Sequence, residues 1–226
     1  MLNLHHFDSL ESTNIKAREF PVGSVIIAGE QTGGMGRFGR KWSSAQGGIY
    51  LSLVVGTTVK DTKYLTVLAS VAVQHVLAKK CNVISGIKWP NDLILKKRKL
   101  CGILTESCFS GDDAKMIIGI GINSNNILPP ALKGIAISLH ELGIRVDNEV
   151  VIRAIVDEFE SLMSMDRGNV LEEWRRLSHT LGKRIRIISG GKEVHGYARD
   201  IDGECNLIVE TSQGKKLIVE GDVFVE

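Results

Sequence analysis

Two β-rich runs, VIIAG at 25–29 and IYLSLVV at 49–55, are separated by EQTGGMGRFGRKWSSAQGG, a stretch with no usable apolar periodicity. Gly33, Gly34, Gly36 and Gly39 fall within seven residues. Ordering such a segment costs much conformational entropy, which is tolerable where the backbone must approach a ligand closely. Arg37, Arg40 and Lys41 place positive charge among exposed backbone N–H groups, so the natural guest is an anion, a phosphate or a carboxylate. The segment is not a P-loop, because no Gly-Lys-Ser/Thr pair opens a helix. Nor is it a dinucleotide fingerprint, because a strand follows it. The competing reading is a flexible surface loop.

Elsewhere the apolar pattern predicts an α+β chain. Alternation along 49–55 puts Tyr50, Ser52 and Val54 on one face and Leu51, Leu53 and Val55 on the other. Both faces are apolar enough to be buried, and as an unpaired edge this strand is expected to pair with a second copy of the chain. Leu65, Leu68, Ala72, Val73, Val76 and Leu77 recur at helical spacing, predicting an amphipathic helix over 62–80. VISGIKW, then DLIL and KLCGILTES, then AKMIIGIGIN read as strands. Lys96, Lys97 and Arg98 fall where a hairpin turn belongs and read as solvated rather than as a nuclear-localisation or DNA patch. Helices are predicted over 147–165, with Asp147 as N-cap, and over 169–179 around Trp174. Beyond Gly182 the period changes to two, punctuated by Gly190-Gly191, Asp202-Gly203 and Gln213-Gly214, which predicts four or five short strands. The expected organisation is a mixed-sheet main domain over 1–180 and a small SH3-like β unit over 181–226.

Composition narrows the function classes. With 43% hydrophobic and 24% charged residues the chain is globular, and 226 residues bury a substantial core without disulfides or a structural metal. A formal net charge of +2 argues against a dedicated DNA-binding protein while leaving room for a local basic site. Cys81, Cys101, Cys108 and Cys205 show no metal or redox spacing and read as buried, reduced thiols of a cytoplasmic protein. The N-terminus lacks the pattern of a signal peptide, and no apolar stretch is long enough to span a membrane.

Four further constellations carry chemistry. In Lys88-Trp89-Pro90-Asn91-Asp92, Pro90 rigidifies a link between strands, so Lys88 and Asp92 flank a fixed bend able to meet phosphate, metal or ribose; the bland account is a surface turn with a half-buried Trp. Lys99 heads an apolar strand, marking either an exposed strand end or a group pointing into a pocket, and Gly102 lets a ligand press on the backbone. Gly119 and Gly121 alternate and leave one strand face flat, which suits a planar ligand. Ser12-Thr13-Asn14 precede a predicted helix, where capping is the bland account.

Taken together, STN, QTxGxGRxGRxW, KWPNDL, KLxGIL and GIGIN, in this order and at these spacings, resemble the biotin protein ligases. The match is to the monofunctional form, which lacks the winged-helix DNA-binding domain that regulatory members carry ahead of the catalytic domain. Met35 stands where that family usually has Arg, which leaves only a backbone contact there. The resemblance implies the catalytic fold of the biotin/lipoate ligases with an SH3-like C-terminal domain, and two-step chemistry in which biotin is activated by ATP as biotinyl-5'-AMP and passed to a lysine of a biotin carboxyl carrier domain. It implies Arg37 and Lys99 as catalytic groups; Ser12, Thr13, Asn14, Gln31, Met35, Gly36, Arg37, Lys99, Gly102, Gly119 and Gly121 around biotin; and Arg37, Arg40, Trp42, Lys88, Asn91, Asp92, Lys99 and Asn123 around ATP, with Asp92 holding Mg²⁺. A homodimer follows family habit, with neither DNA nor membrane as a partner. The competing readings are a lipoate or octanoate ligase of the same fold, whose Arg-Arg-x-Ser-Gly-Gly-Gly loop is absent here, and a non-catalytic biotin sensor.

Overall fold

The computed structural model describes residues 2–56, 61–110 and 113–226. Tyr50, Ser52 and Val54 alternate with Leu51, Leu53 and Val55 along β3 (Ile49–Gly56), and both sets are buried. The reason is that β3 is interior, pairing antiparallel with β2 (Ser24–Gln31) on one side and β7 (Asp113–Ile122) on the other. A strand with partners on both sides offers no edge, so the expected pairing of two copies through residues 49–55 is overturned.

The full sheet has seven strands in the order β1 (Asn3–Leu10), β2, β3, β7, β6 (Arg98–Ser110), β5 (Asp92–Leu95) and β4 (Gly86–Lys88). Only β1 and β2 run parallel among these neighbours; the other pairs are antiparallel. One face carries Leu51, Leu53, Ile103, Ile118 and Ile120 into a core shared with α2 (Thr62–Cys81), α3 (Asn148–Met163) and α4 (Arg167–Leu177). α2 is buried around most of its circumference, Val67, Ala69 and Val71 included, because it lies between the sheet and the two later helices; it is not the one-sided helix that its strongest periodicity predicts. Asp147 caps α3 as expected, accepting from the N–H groups of Glu149 and Val150. α4 begins at the Asp166 cap and buries Trp174.

The opposite face supports a shorter layer. Ala17 of α1 (Thr13–Ala17) packs with Ile26, Val54 and Ile117, and the rest of that face is open for a site.

Beyond α4 the period-two segment forms a five-stranded antiparallel sheet, β11 (Gly214–Ile218), β10 (Leu207–Thr211), β9 (Lys192–Ile201), β8 (Arg184–Ser189) and β12 (Asp222–Val225) in spatial order, which fits the SH3-like expectation. Trp89 binds this unit to the main sheet: its backbone N–H donates to Thr180 Oγ1 at 2.9 Å and its indole N–H to the Cys205 carbonyl at 3.0 Å. Trp89 is therefore fully buried, and the surface-turn reading of this segment fails. All four cysteines are free; three are buried and Cys108 is only half-buried. Among the described residues no helix is long and apolar enough to cross a membrane.

Candidate active site

Register places small residues side by side on the open face. Gly102 of β6 pairs directly with Gly121 of β7, and Gly119 lies between Leu104 and Ser52 on neighbouring strands. The absent Cβ atoms seat two side chains. Trp42 lies on Gly121 and Gly102, where added Cβ atoms would come within 2.5 Å of its Nε1 and 3.0 Å of its Cζ3, and a Cβ on Gly119 would overlap the Asn14 amide. The flatness expected for a planar ligand thus first accommodates protein side chains, which then form the walls of the site.

Those walls enclose a cavity of about 290 Å³. The structure brings the expected biotin group, Ser12, Thr13, Asn14, Gln31, Met35, Gly36, Arg37, Lys99, Gly102, Gly119 and Gly121, around it, together with Arg40, Trp42, Asn91, Asp92 and Asn123 from the expected ATP group. Lys88 does not line it. Lys88 pairs in register with Asp92, and its ammonium sits 5.9 Å from the centre of the Phe224 ring, where burial lowers its pKa.

At one end of the cavity the groups are neutral. Ser12 has an extended backbone but makes no side-chain cap to α1, so capping does not account for the Ser-Thr-Asn segment. Instead the Thr13 backbone N–H donates to Gln31 Oε1 at 2.8 Å, and Gln31 Nε2 donates to Ser44 Oγ at 2.8 Å. At the other end the groups are charged. Lys99 Nζ lies 2.7 Å from Asp92 Oδ1 and 5.1 Å from the centre of the Trp42 ring. Arg37 donates to Asn91 Oδ1 at 3.5 Å and to the Gly221 carbonyl at 3.2 Å, and burial pulls its guanidinium below the usual arginine range. Arg40 forms a two-armed ion pair with Asp222, and its hydrogen bonds hold the Asp222 carboxyl below the ordinary range.

Sequence reasoning missed three parts of this site. Asp222 reaches the cavity from the C-terminal sheet, and no local pattern marks it. Leu132, Ile135 and Ala136 line the cavity because residues 135–137 run alongside Lys99, which donates its N–H to the Ile135 carbonyl and accepts from the Ile137 N–H. Ser52 and Glu106 stand behind the neutral end; the alternation of Tyr50, Ser52 and Val54 was the available signal for the first.

A metal site built by the protein alone does not fit these residues. Asp92 already faces Lys99, and among the described residues no three His, Cys, Asp or Glu side chains converge.

Comparison with known proteins places this geometry. The biotin/lipoate A/B protein ligase family matches residues 6–123, and the biotin protein ligase C-terminal domain matches residues 180–225. The chain belongs to the biotin protein ligase family. It is 34% identical over 238 residues to the bifunctional ligase/repressor BirA of Bacillus subtilis, covering 98% of this chain and 73% of that one. It is 32% identical over 213 residues to a biotin–[acetyl-CoA-carboxylase] ligase of Mycobacterium tuberculosis, covering 89% and 78%. The solved biotin protein ligase of Aquifex aeolicus in complex with biotin and ATP superposes with a TM-score of 0.88 at 25% identity, over 100% of this chain and 99% of that one. In this ligase the glycine-rich segment is the loop that carries Arg37 and Arg40 to the C-terminal sheet.

Proposed function

We propose that this chain activates biotin with ATP and transfers it to a lysine of a biotin carboxyl carrier domain. The supporting observation is that one cavity joins a neutral hydrogen-bonding end at Thr13, Asn14 and Gln31 to a cationic end at Arg37 and Lys99. The seats of Asn14 and Trp42, Gly119 and Gly121, are two residues apart on one strand, roughly 7 Å. The neutral end suits the ureido ring, and the cationic end suits the meeting of a carboxylate with a triphosphate.

In the first step a biotin carboxylate oxygen forms a bond to the α-phosphorus of ATP, and the bond to the bridging oxygen breaks, releasing pyrophosphate. Both reactants are anions, so Lys99 lowers the barrier by lying where their charge gathers, its position fixed by Asp92. Trp42 offers an aromatic face to adenine. Magnesium brought in with the nucleotide would be held on the protein side by Asp92 and would neutralise phosphate charge there. In the second step the carrier lysine amine attacks the acyl carbon of the mixed anhydride, and AMP leaves. Arg37, anchored between Asn91 and Gly221, holds the adenylate until the carrier arrives.

Residues 1–180 carry this chemistry and residues 181–226 brace its loop through Asp222 and Gly221. The four free thiols suit the reducing cytoplasm. Two copies associate through β1, an edge strand of the main sheet, in place of β3; sedimentation of a monomer at micromolar concentration, with and without ligand, removes that assignment. Biotin-dependent exchange of pyrophosphate into ATP, run beside lipoate and octanoate, tests the function, and equal or faster exchange with lipoate overturns it.

A further inference from the structure

Behind the neutral end, four oxygens stand in a row. Gln31 Oε1 lies 3.1 Å from Thr13 Oγ1, Thr13 Oγ1 lies 2.7 Å from Ser52 Oγ, and Ser52 Oγ lies 2.7 Å from Asn14 Oδ1. The amide at each end of the row is fixed with its oxygen inward. Gln31 Oε1 accepts from the Thr13 backbone N–H at 2.8 Å while Gln31 Nε2 donates to Ser44. Asn14 Nδ2 faces two acceptors, Glu106 Oε2 at 2.6 Å and the Leu104 carbonyl at 3.3 Å, so it is the nitrogen that points outward.

Proton counting then has one outcome. Three oxygen–oxygen contacts need three protons, and the row owns two, those of the Thr13 and Ser52 hydroxyls. The Ser52 proton has two acceptors in reach and serves one at a time. Ser52 is fully buried, so water does not fill the deficit there, while Thr13 and Asn14 border the cavity. The row is therefore short of a donor on its cavity side.

We propose that Glu106, which does not line the cavity, is a specificity-determining positioning residue: by holding the Asn14 amide with its oxygen inward, it makes this end of the site an acceptor that demands an N–H group from the ligand. This rests on the proposed biotin reading and deepens it. A ureido ring brings N–H donors; a dithiolane or a plain alkyl chain brings none, and leaves the deficit unpaid at the cost of an unsatisfied buried acceptor. The carboxylate matters because it only accepts. With Glu106→Gln, Arg18, which donates to Glu106 Oε1 at 3.4 Å, keeps the amide oxygen on its side, so the new NH2 faces Asn14. Asn14 then gives up its long 3.3 Å contact to the Leu104 carbonyl, turns over and gives its own N–H to Ser52. The row then holds three protons for three contacts and the demand disappears.

The experiment compares biotin with its cyclic carbamate isostere, in which one ureido N–H is replaced by oxygen, using Kd by calorimetry and KM and kcat in pyrophosphate exchange. Biotin-dependent exchange by the unaltered enzyme tests the function itself, and its failure would be seen before any variant is made. For the unaltered enzyme the carbamate is expected to bind on the order of 10-fold or more weaker. In Glu106→Gln that ratio is expected to fall to within about 3-fold, the change lying in Kd and KM more than in kcat. A merely structural role for Glu106 would weaken both ligands alike, and an unchanged ratio in a folded Glu106→Gln enzyme overturns the proposal. Ser52→Ala serves as the second variant, since it removes the shared proton and leaves Asn14 Oδ1 with no donor. There the ratio is expected to rise above that of the unaltered enzyme, and an unchanged or lower ratio counts against the proton count.

Discussion

The Trp42 indole lies so close on Gly121 that a single methyl group there would come within 2.5 Å of the indole nitrogen. Gly102, the direct cross-strand partner of Gly121, meets the same ring from the next strand. Two glycines from separate motifs thus make one seat for one side chain. Gly121→Ala must push a rigid ring out of its place, and overpacking of this kind costs about 1–3 kcal/mol. Displacement of Trp42 is expected to raise the KM for ATP at least several-fold while biotin affinity changes less, because the neutral end lies two residues away along β7. Separate titrations of the two substrates check this; equal losses for both would show that Gly121 serves the whole sheet rather than the Trp42 seat.

Lys99 has a different vulnerability. Its ammonium is held 2.7 Å from Asp92 Oδ1 at the cationic end, with its methylene stem passing over Gly102. Removing a donor aimed at developing charge typically costs ~10²–10³ in rate. Lys99→Ala is therefore expected to cripple adenylate synthesis, with a weaker effect on biotin binding at the neutral end. Single-turnover formation of biotinyl-5'-AMP measures the first quantity and equilibrium binding the second. A loss confined to binding would remove Lys99 from the chemical step.

The sequence was most readable where period and chemistry coincide in one segment. Asp147 could be identified as a cap and residues 184–225 as short strands, because each rests on neighbours in the chain. What stayed hidden depends on who sits beside whom. Nothing in IYLSLVV distinguishes an interior strand from an edge, since either can bury two apolar faces, and so a strand paired on both sides reads as an edge. Lys88 does not line the cavity, and its ammonium faces Phe224, a neighbour from the far end of the chain that nothing in KWPND announces. Asp222 enters the site across 182 residues of chain from Arg40, a distance over which no periodicity speaks.

Arg37 and Arg40 tie the glycine loop to the C-terminal sheet, and this makes adenylate retention separable from its synthesis. Arg37→Gly removes both the Asn91 and the Gly221 contacts. It is expected to release biotinyl-5'-AMP faster, with diffuse labelling of exposed lysines on bystander proteins. Asp222→Asn keeps the two Arg37 hydrogen bonds while weakening the Arg40 pair and removing a negative charge near Arg37, so its release rate should fall between those of the Arg37 variant and the unaltered enzyme. Adenylate dissociation measured by rapid gel filtration ranks the three; a slower or unchanged rate in Arg37→Gly would refute its role as a clasp.

Acid should loosen the helical layer through Glu173. Its carboxyl is held down to about 2 by hydrogen bonds from Arg176 first and from the His75 ring second, against the opposing effect of burial. The same ring reaches Glu158, so His75 on α2 ties α3 and α4 together with two contacts of 2.7 Å. A carboxyl whose folded pKa lies below its unfolded value of about 4.3 stabilises the protein at any pH above that unfolded value. That contribution is lost as the pH falls from about 4.3 toward the folded value. Thermal unfolding followed from pH 6 down to pH 2.5 should therefore show Tm falling through this window. Glu173→Gln, which keeps the shape and removes the titration, should start from a lower Tm at pH 6 and lose less of it on acidification. Parallel curves for the two proteins would mean that another carboxylate carries the acid response. A steeper loss in Glu173→Gln would contradict the sign, since a depressed carboxyl removed from the fold can only flatten the dependence.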